Sequence, residues 1–158
     1  MAVYSAQANF APVSQVTSSL GVNDPEVGTR LRYGDEDYIF VYNAGTSQIS
    51  PGYAAIVSAV TGYSVTVSST TSVDFAIGFV KHATLTTGTY GWLLTKGFGK
   101  VTAEANMSFA AGALAILAAD GTVTNKTIST GFVGPVVAKA MAAIASGASG
   151  DAYICSGN

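Results

Sequence analysis

Charged side chains are scarce in this sequence. Asp, Glu, Lys and Arg make up 10% of its 158 residues, against roughly 25% in an ordinary soluble protein. A free surface with so few charges is poorly soluble, so we expect other subunits to cover much of it. The seven basic residues are scattered and the net charge is −2. This distribution excludes the basic stripe of a nucleic-acid-binding protein.

Cysteine and histidine are almost absent. A single cysteine, Cys155, excludes a disulfide within the chain, and the single histidine, His82, adds too few ligands for a typical zinc site. No Gly-x-Ser-x-Gly motif supplies a serine nucleophile for His82. Cys155 ends the apolar run AYIC, which predicts a small core residue. We therefore expect no enzyme, and no catalytic, cofactor or metal site.

Long apolar runs are also missing. The longest, FAAGALAILAA, is well short of the roughly 20 residues that an apolar helix needs to cross a bilayer. The N-terminal stretch MAVYSAQANF lacks a basic segment followed by an apolar core, so it predicts no ordinary signal peptide. We expect no association with a membrane.

Residues 1–33 differ from the rest of the chain. They mix Gln, Asn, Ser, Pro and Gly without a sustained hydrophobic period, so they are not expected to hold a core alone. They form either a disordered leader or an extended arm that orders on a neighbouring subunit. Apolar residues at intervals favour the arm, and four of them are candidate partner contacts: Phe10, Val13, Val16 and Leu20.

Residues 34–158 are typical of an all-β barrel or sandwich. Short runs rich in β-branched and aromatic residues, such as DYIFVY, YSVTV and DAYIC, are separated by Gly, Asn and Asp. Two alanine-rich segments, FAAGALAILAADG and VVAKAMAAIASG, instead have the composition of helices.

An internal duplication bears on these alanine-rich segments. ISPGYAAIVSA (49–59) aligns with FAAGALAILAA (109–119) at an offset of 60, which indicates two pseudo-repeats at about 34–94 and 95–158. The first copy carries Pro-Gly before its apolar run, a sign of a turn followed by a strand. By equivalence 113–118 is predicted to be a strand, whereas 136–146 is either a strand or a short helix. Each half would cover the open edges of the other.

The glycine-rich stretch GTYGWLLTKGFGKV (88–101) is the best candidate for a phosphate loop, but the spacing of its residues does not match that of a Walker loop. A Walker loop requires Ser or Thr after Gly-Lys and an earlier glycine, but Val101 follows Lys100 and Leu94 occupies the glycine position. The glycines are predicted to mark turns, a bulge or close backbone contacts. Trp92, Lys96 and Lys100 have no counterpart in the second copy, so we infer that they are candidate partner contacts.

Two further groups have structural explanations. The acidic run Asp35-Glu36-Asp37 predicts a solvated turn beside Arg30 or Arg32, because adjacent strand residues point to opposite faces. The alternating aromatic residues Tyr38, Phe40 and Tyr42 could form a platform for a carbohydrate, but a core or a subunit interface is the favoured interpretation.

The glycine and apolar spacing of residues 34–155 resembles that of capsid decoration (cement) proteins of tailed bacteriophages. The resembling runs are GYAAIV, AIGFVKHAT, GTYGWLLTKGFGKV, FAAGALAILAADGTV and FVGPVVAKAMA. The resemblance implies a small tulip-like β-barrel body that is made in the host cytoplasm and assembles on the outer surface of an icosahedral head. It would bind the major capsid protein and neighbouring copies of itself, as a dimer or trimer, and stabilise the shell without catalysis or a cofactor. The alternative is a virion- or cell-surface β domain that binds a glycan or a receptor.

Overall fold

The described part of the chain forms one continuous sheet. The computed structural model describes residues 14–22, 24–59, 63–67, 76–125 and 135–156. These ranges contain ten strands and one 3-10 turn at Ala119–Gly121, so the predicted all-β class is confirmed. No helix within them could cross a membrane. The strands are β1 Arg30–Tyr33, β2 Glu36–Asn43, β3 Ala54–Ala59, β4 Ser64–Val67, β5 Ala76–Val80, β6 Tyr90–Thr102, β7 Leu114–Leu117, β8 Val123–Asn125, β9 Val136–Ala140 and β10 Ser149–Cys155.

Five strands close into a small ring, here called barrel 1. The order is β2-β4-β3-β5-β6, and β6 pairs back onto β2 through partners such as Phe40 and Trp92. Apolar side chains fill the interior because alternate residues of each strand point inward. The buried members of this interior cluster are Ile39, Val41, Ile49, Ala55, Val65, Val80, Leu85 and Leu93.

A second ring, barrel 2, forms from β6 and the four strands that follow it in the sheet. Its order is β6-β10-β9-β7-β8. A parallel bridge between Ala103 and Val123 brings β8 back to the end of β6, and the amide of Glu104 donates to the carbonyl of Val123 at 2.9 Å. Strand β6 has 13 residues and contributes to both rings.

The duplication in the sequence reappears in the pairing of the strands. Ala54 pairs with Phe79 in barrel 1, and Leu114 pairs with Lys139 about 60 residues later in barrel 2. A bulge follows Ala55 in the first pair of strands and Ala115 in the second. The two halves therefore share one pattern of register and bulges.

Each alanine-rich segment contains a strand and no α-helix. Ala115 lies between Asn125 of β8 and Ala138 of β9, so its segment is paired on both sides. These pairings override the helical propensity of alanine, since propensity is a weak preference compared with tertiary packing. The prediction for 113–118 is confirmed by β7, and the open choice for 136–146 is resolved as strand β9 followed by a turn.

Barrel 2 packs on the outer face of barrel 1. The outward-pointing Tyr38, Phe79 and Leu94 of barrel 1 belong to the same buried cluster as Ile154 of barrel 2. The contact is close at Gly99, where a Cβ atom would lie 2.8 Å from both Leu94 Cδ2 and Ile154 Cδ1. Within the cluster, the side of β6 that lies outside barrel 1 faces the inside of barrel 2.

The segment before β1 contacts barrel 1. Thr17 exchanges two backbone hydrogen bonds with Tyr90, at 3.0 and 2.7 Å, and Val16 packs against the interior cluster of barrel 1. Strand β1 (Arg30–Tyr33), within the predicted 1–33 arm, pairs antiparallel with β2. Val16, Thr17 and β1 thus lie against the chain's own body, while Leu20 is exposed. Phe10 and Val13 fall outside the described residues.

Strand β6 bends where it passes from one barrel to the other. A register shift at its pairing with β2 leaves Thr95 as an extra residue, and Gly97 follows with φ 127°. A Cβ atom on Gly97 would lie 2.8 Å from Glu36 Cγ and 3.2 Å from Glu36 Cα. The position therefore requires glycine for both its dihedral angle and its space.

We expect Gly97→Ala to lower the free energy of unfolding by about 2–4 kcal/mol, through backbone strain and overpacking together. Gly112→Ala is the matched control, because Gly112 also has positive φ but no atom lies within 4 Å of the place that a Cβ atom would occupy there. The control should cost about 1 kcal/mol, from strain alone. Urea denaturation of both variants measures the difference, and equal losses would show that the contact with Glu36 does not constrain β6.

Candidate functional site

The stretch GTYGWLLTKGFGKV is architectural in the structure. Gly88 lies in the turn before β6 with φ 75°, and a Cβ atom on Gly91 would lie 2.9 Å from Leu85 Cδ1. Together with the bend at Gly97, these glycines occupy the predicted turn, close contact and bulge. The remainder of the stretch is strand β6 itself.

Trp92, expected as a partner contact, lies in the core. It is 5% exposed and packs against Phe40 at a centroid distance of 5.0 Å. The reason is its direction on β6, since Trp92 points to the side of the strand that barrel 2 covers. Its indole Nε1 has no hydrogen-bond partner among the described residues.

The other predicted contacts are spread over two regions. Lys96 and Lys100 are exposed on the barrel 2 half of β6, where Phe98 between them is 56% exposed. Val16 is half-buried against barrel 1, and Leu20 is exposed in the segment before β1. The two lysines are thus exposed on the same half of β6, whereas Val16 packs against barrel 1 and Trp92 is buried.

A surface groove begins beside Phe98. It lies between the residues that follow β5 and strands β6 and β10 of barrel 2. Its walls combine cationic and apolar side chains with one carboxylate, and its main lining residues are Lys81, His82, Phe98, Lys100, Met141 and Asp151. We call it the outer groove.

A hydrogen-bonded cluster supports one end of the outer groove. Glu36 accepts hydrogen bonds from both Lys81 Nζ and Tyr38 Oη. Burial acts to raise the pKa of Glu36, but the bonds from Lys81 and Tyr38 outweigh it and hold that pKa below its usual value. Burial, together with the Glu36 carboxylate, raises the pKa of Tyr38 well above its ordinary range. Tyr38 therefore remains a neutral donor, and Lys81 is held in place by its ion pair.

His82 is not isolated. Its Nε2 lies 3.5 Å from Tyr38 Oη, and it shares the groove with Asp151. Burial and the neighbouring Lys81 charge lower the pKa of His82, although Glu36 opposes the shift. Among the described residues no group of three metal-ligating side chains comes together. The arrangement presents cations and aromatic surface, which suit the binding of an anionic, partly apolar surface.

Sequence reasoning did not find Phe98, Tyr153 or Met141 at the surface. Phe98 and Tyr153 pair across β6 and β10 and contact edge to face, with centroids 5.3 Å apart.

The alternation of residues along DAYIC could have indicated that Tyr153 faces the surface, because the buried Ala152 and Ile154 flank it. The same alternation corrects the expectation for Cys155, which is exposed rather than a core residue. The aromatic residues Tyr38 and Phe40 are in the core, as favoured.

The sequence matches no protein-family model and no curated protein. The fold, in contrast, is similar to a solved structure, the N base of the head fiber protein gp8.5 of bacteriophage phi29. The two structures superpose with a TM-score of 0.52 at 13% sequence identity, over 77% of this chain and 98% of the phi29 chain. At this level of identity, the likeness shows a shared fold.

We expect Glu36→Gln to lower the free energy of unfolding at neutral pH by about 1 kcal/mol, because a charged hydrogen-bond acceptor is lost. The lowered pKa of Glu36 means that its contribution is present above about pH 4.5 and is lost as the pH falls through the folded-state value. The stability of the variant should therefore fall less steeply below about pH 4.5 than that of the unmodified protein.

The matched control is Asp37→Asn. Asp37 lies 3.9 Å from Arg32 in an exposed pair, so its loss should change stability by no more than about 0.5 kcal/mol. Urea denaturation between about pH 3 and 7 distinguishes the two. Identical pH profiles for Glu36→Gln and the unmodified protein would contradict the role assigned to this carboxylate.

Proposed function

We propose that this protein is a structural component of a phage virion and that it decorates the outside of the head. The observation that carries the proposal is the shared fold with the phi29 head fiber N base, which extends over 98% of that chain. The phi29 structure is, by its name, part of a bacteriophage head fiber. A fold that matches nearly all of that structure supports a similar place in a virion, by analogy.

Composition supports the same proposal. The scarcity of charge is explained if capsid subunits and neighbouring copies cover much of the surface. The partners in this account are the major capsid protein and further copies of this chain, with Phe10 and Val13 of the N-terminal segment retained as predicted contacts. The protein would act by binding alone, without catalysis or a cofactor, and repetition over a symmetric lattice would multiply modest contacts.

A glycan- or receptor-binding role is the second candidate. The exposed ring of Phe98 beside the outer groove favours it, because aromatic faces at a groove can stack on sugars. Tyr153 approaches this ring at 81°, so the two rings do not form one flat platform. This geometry makes the glycan role the weaker of the two candidates.

The test is binding to phage heads assembled without this protein. Purified protein added to such heads should sediment with them and saturate, and the coated heads should release DNA at a higher temperature than bare heads. Purified tails serve as the control and should not bind. Protein that remains in the supernatant at all head concentrations would refute the proposal, and binding to a glycan array in that case would support the second candidate.

A further inference from the structure

Barrel 2 covers the outer face of barrel 1, whereas the equivalent outer face of barrel 2 is uncovered among the described residues. In barrel 1 a row of paired residues, Tyr38, Leu94, Phe79 and Ala54, crosses β2, β6, β5 and β3 on the outside of the ring. All four are buried because barrel 2 packs over them. The matching row in barrel 2 crosses β6, β10, β9 and β7 and consists of Phe98, Tyr153, Lys139 and Leu114.

This second row lies at the surface. Phe98 is 56% exposed and Leu114 is 40% exposed, while Lys139 is exposed and Tyr153 is half-buried between them. We call the row together with Lys100, which neighbours Phe98 on β6, the barrel 2 outer face. It adjoins the outer groove, where the half-exposed Met141 adds further apolar surface. A face of this composition, equivalent to one that is packed elsewhere in the same fold, is typical of a docking surface.

The charge of this face is the opposite of the charge of the chain. The net charge of the protein is −2 with seven Lys and Arg residues, and four of the seven lie on this face or beside it: Lys81, Lys96, Lys100 and Lys139. Three carboxylates accompany them among the described residues: Asp151 opposite Lys100, Asp37 opposite Lys96 and Glu36 bonded to Lys81. The four lysines therefore leave an excess of one positive charge around an aromatic centre, the opposite sign to the charge of the chain.

We propose that the barrel 2 outer face binds an acidic segment of a phage head protein, with an apolar side chain of that segment inserted beside Phe98 and Met141. This inference rests on the proposed function and names the docking surface that the function uses. The lysines would attract and orient the carboxylates of the partner, and the aromatic pair would supply the desolvated centre of the interface.

Charge also argues against two other occupants. A second copy docked through the same face about a two-fold axis would bring together two faces with the same sign of net charge, which opposes association. Nucleic acid normally requires a longer basic stripe than four lysines accompanied by carboxylates, and it binds poorly to a chain of net negative charge. Neither the repulsion between like charges nor the need for a long basic stripe applies to an acidic protein surface.

The first test compares charge reversals. Lys100→Glu should weaken binding to heads that lack this protein by about tenfold or more and should reduce the salt dependence of binding. Arg30→Glu is the matched control, because Arg30 is an exposed basic residue of β1, outside this face; it should change affinity by less than about twofold. Phe98→Ala should also weaken binding by about tenfold, and thermal unfolding of each variant verifies that it is folded.

The second test identifies the occupant directly. A photo-crosslinking phenylalanine analogue is placed at Phe98, or at the exposed Tyr33 of β1 as a control, before the protein is bound to heads. Crosslinks from position 98 to an acidic segment of a head protein are expected. Crosslinks only between copies of this chain would overturn the inference, as would crosslinks only to DNA.

The two proposals fail in different ways. If the unmodified protein does not bind heads, the proposed function is refuted, and this inference is refuted with it. If the unmodified protein binds but Lys100→Glu and Phe98→Ala bind equally well, the inference alone is refuted, because the head would then be held through another surface.

Discussion

Strand β6 pairs into two closed rings at once, and the rest of the structure depends on this shared strand. Its first half completes barrel 1 with β2 and β5, and its second half begins barrel 2 with β10. Because one strand cannot follow the curvature of two rings without a change of direction, it bends at the bulge around Thr95 and at Gly97. The bend places barrel 2 on the outer face of barrel 1, which gives the two barrels a common core.

The same arrangement explains where an interaction surface remains. Because the second copy of the duplicated unit packs on the outer face of the first, the outer face of barrel 1 is covered and that of barrel 2 is left free. In barrel 1 the covered row is apolar, with Phe79 at its centre, whereas the corresponding residue in barrel 2 is Lys139. The duplicated positions have therefore diverged according to whether they face protein or solvent. In the proposed attachment to a phage head, the free face is the docking surface. The hydrogen bonds among Glu36, Lys81 and Tyr38 lie at one end of the adjoining outer groove.

Much of the fold could be predicted from the sequence, and less of the site. Alternation and turn residues indicate the strands, and the 60-residue offset indicates that the alanine-rich β7 is a strand, despite its helical propensity. The sequence predicted a bulge among these glycines, but not its position at Thr95, which changes which residues of β6 face the common core. Trp92 and Leu94 both face that core. Strict alternation from them would bury Phe98, yet Phe98 is exposed. The absence of a counterpart in the second copy was also a poor guide to exposure, because Trp92 has no counterpart there and is nevertheless buried.

The central claim, that this protein binds the outside of a phage head, is tested most directly by cryo-electron microscopy of heads with and without it. The difference map should contain symmetrically repeated density on the outer surface of the shell, with a shape that fits the two barrels and with the barrel 2 outer face directed toward a capsid subunit. A map without extra density on the shell, or with the density inside the head or on the tail, would contradict the account.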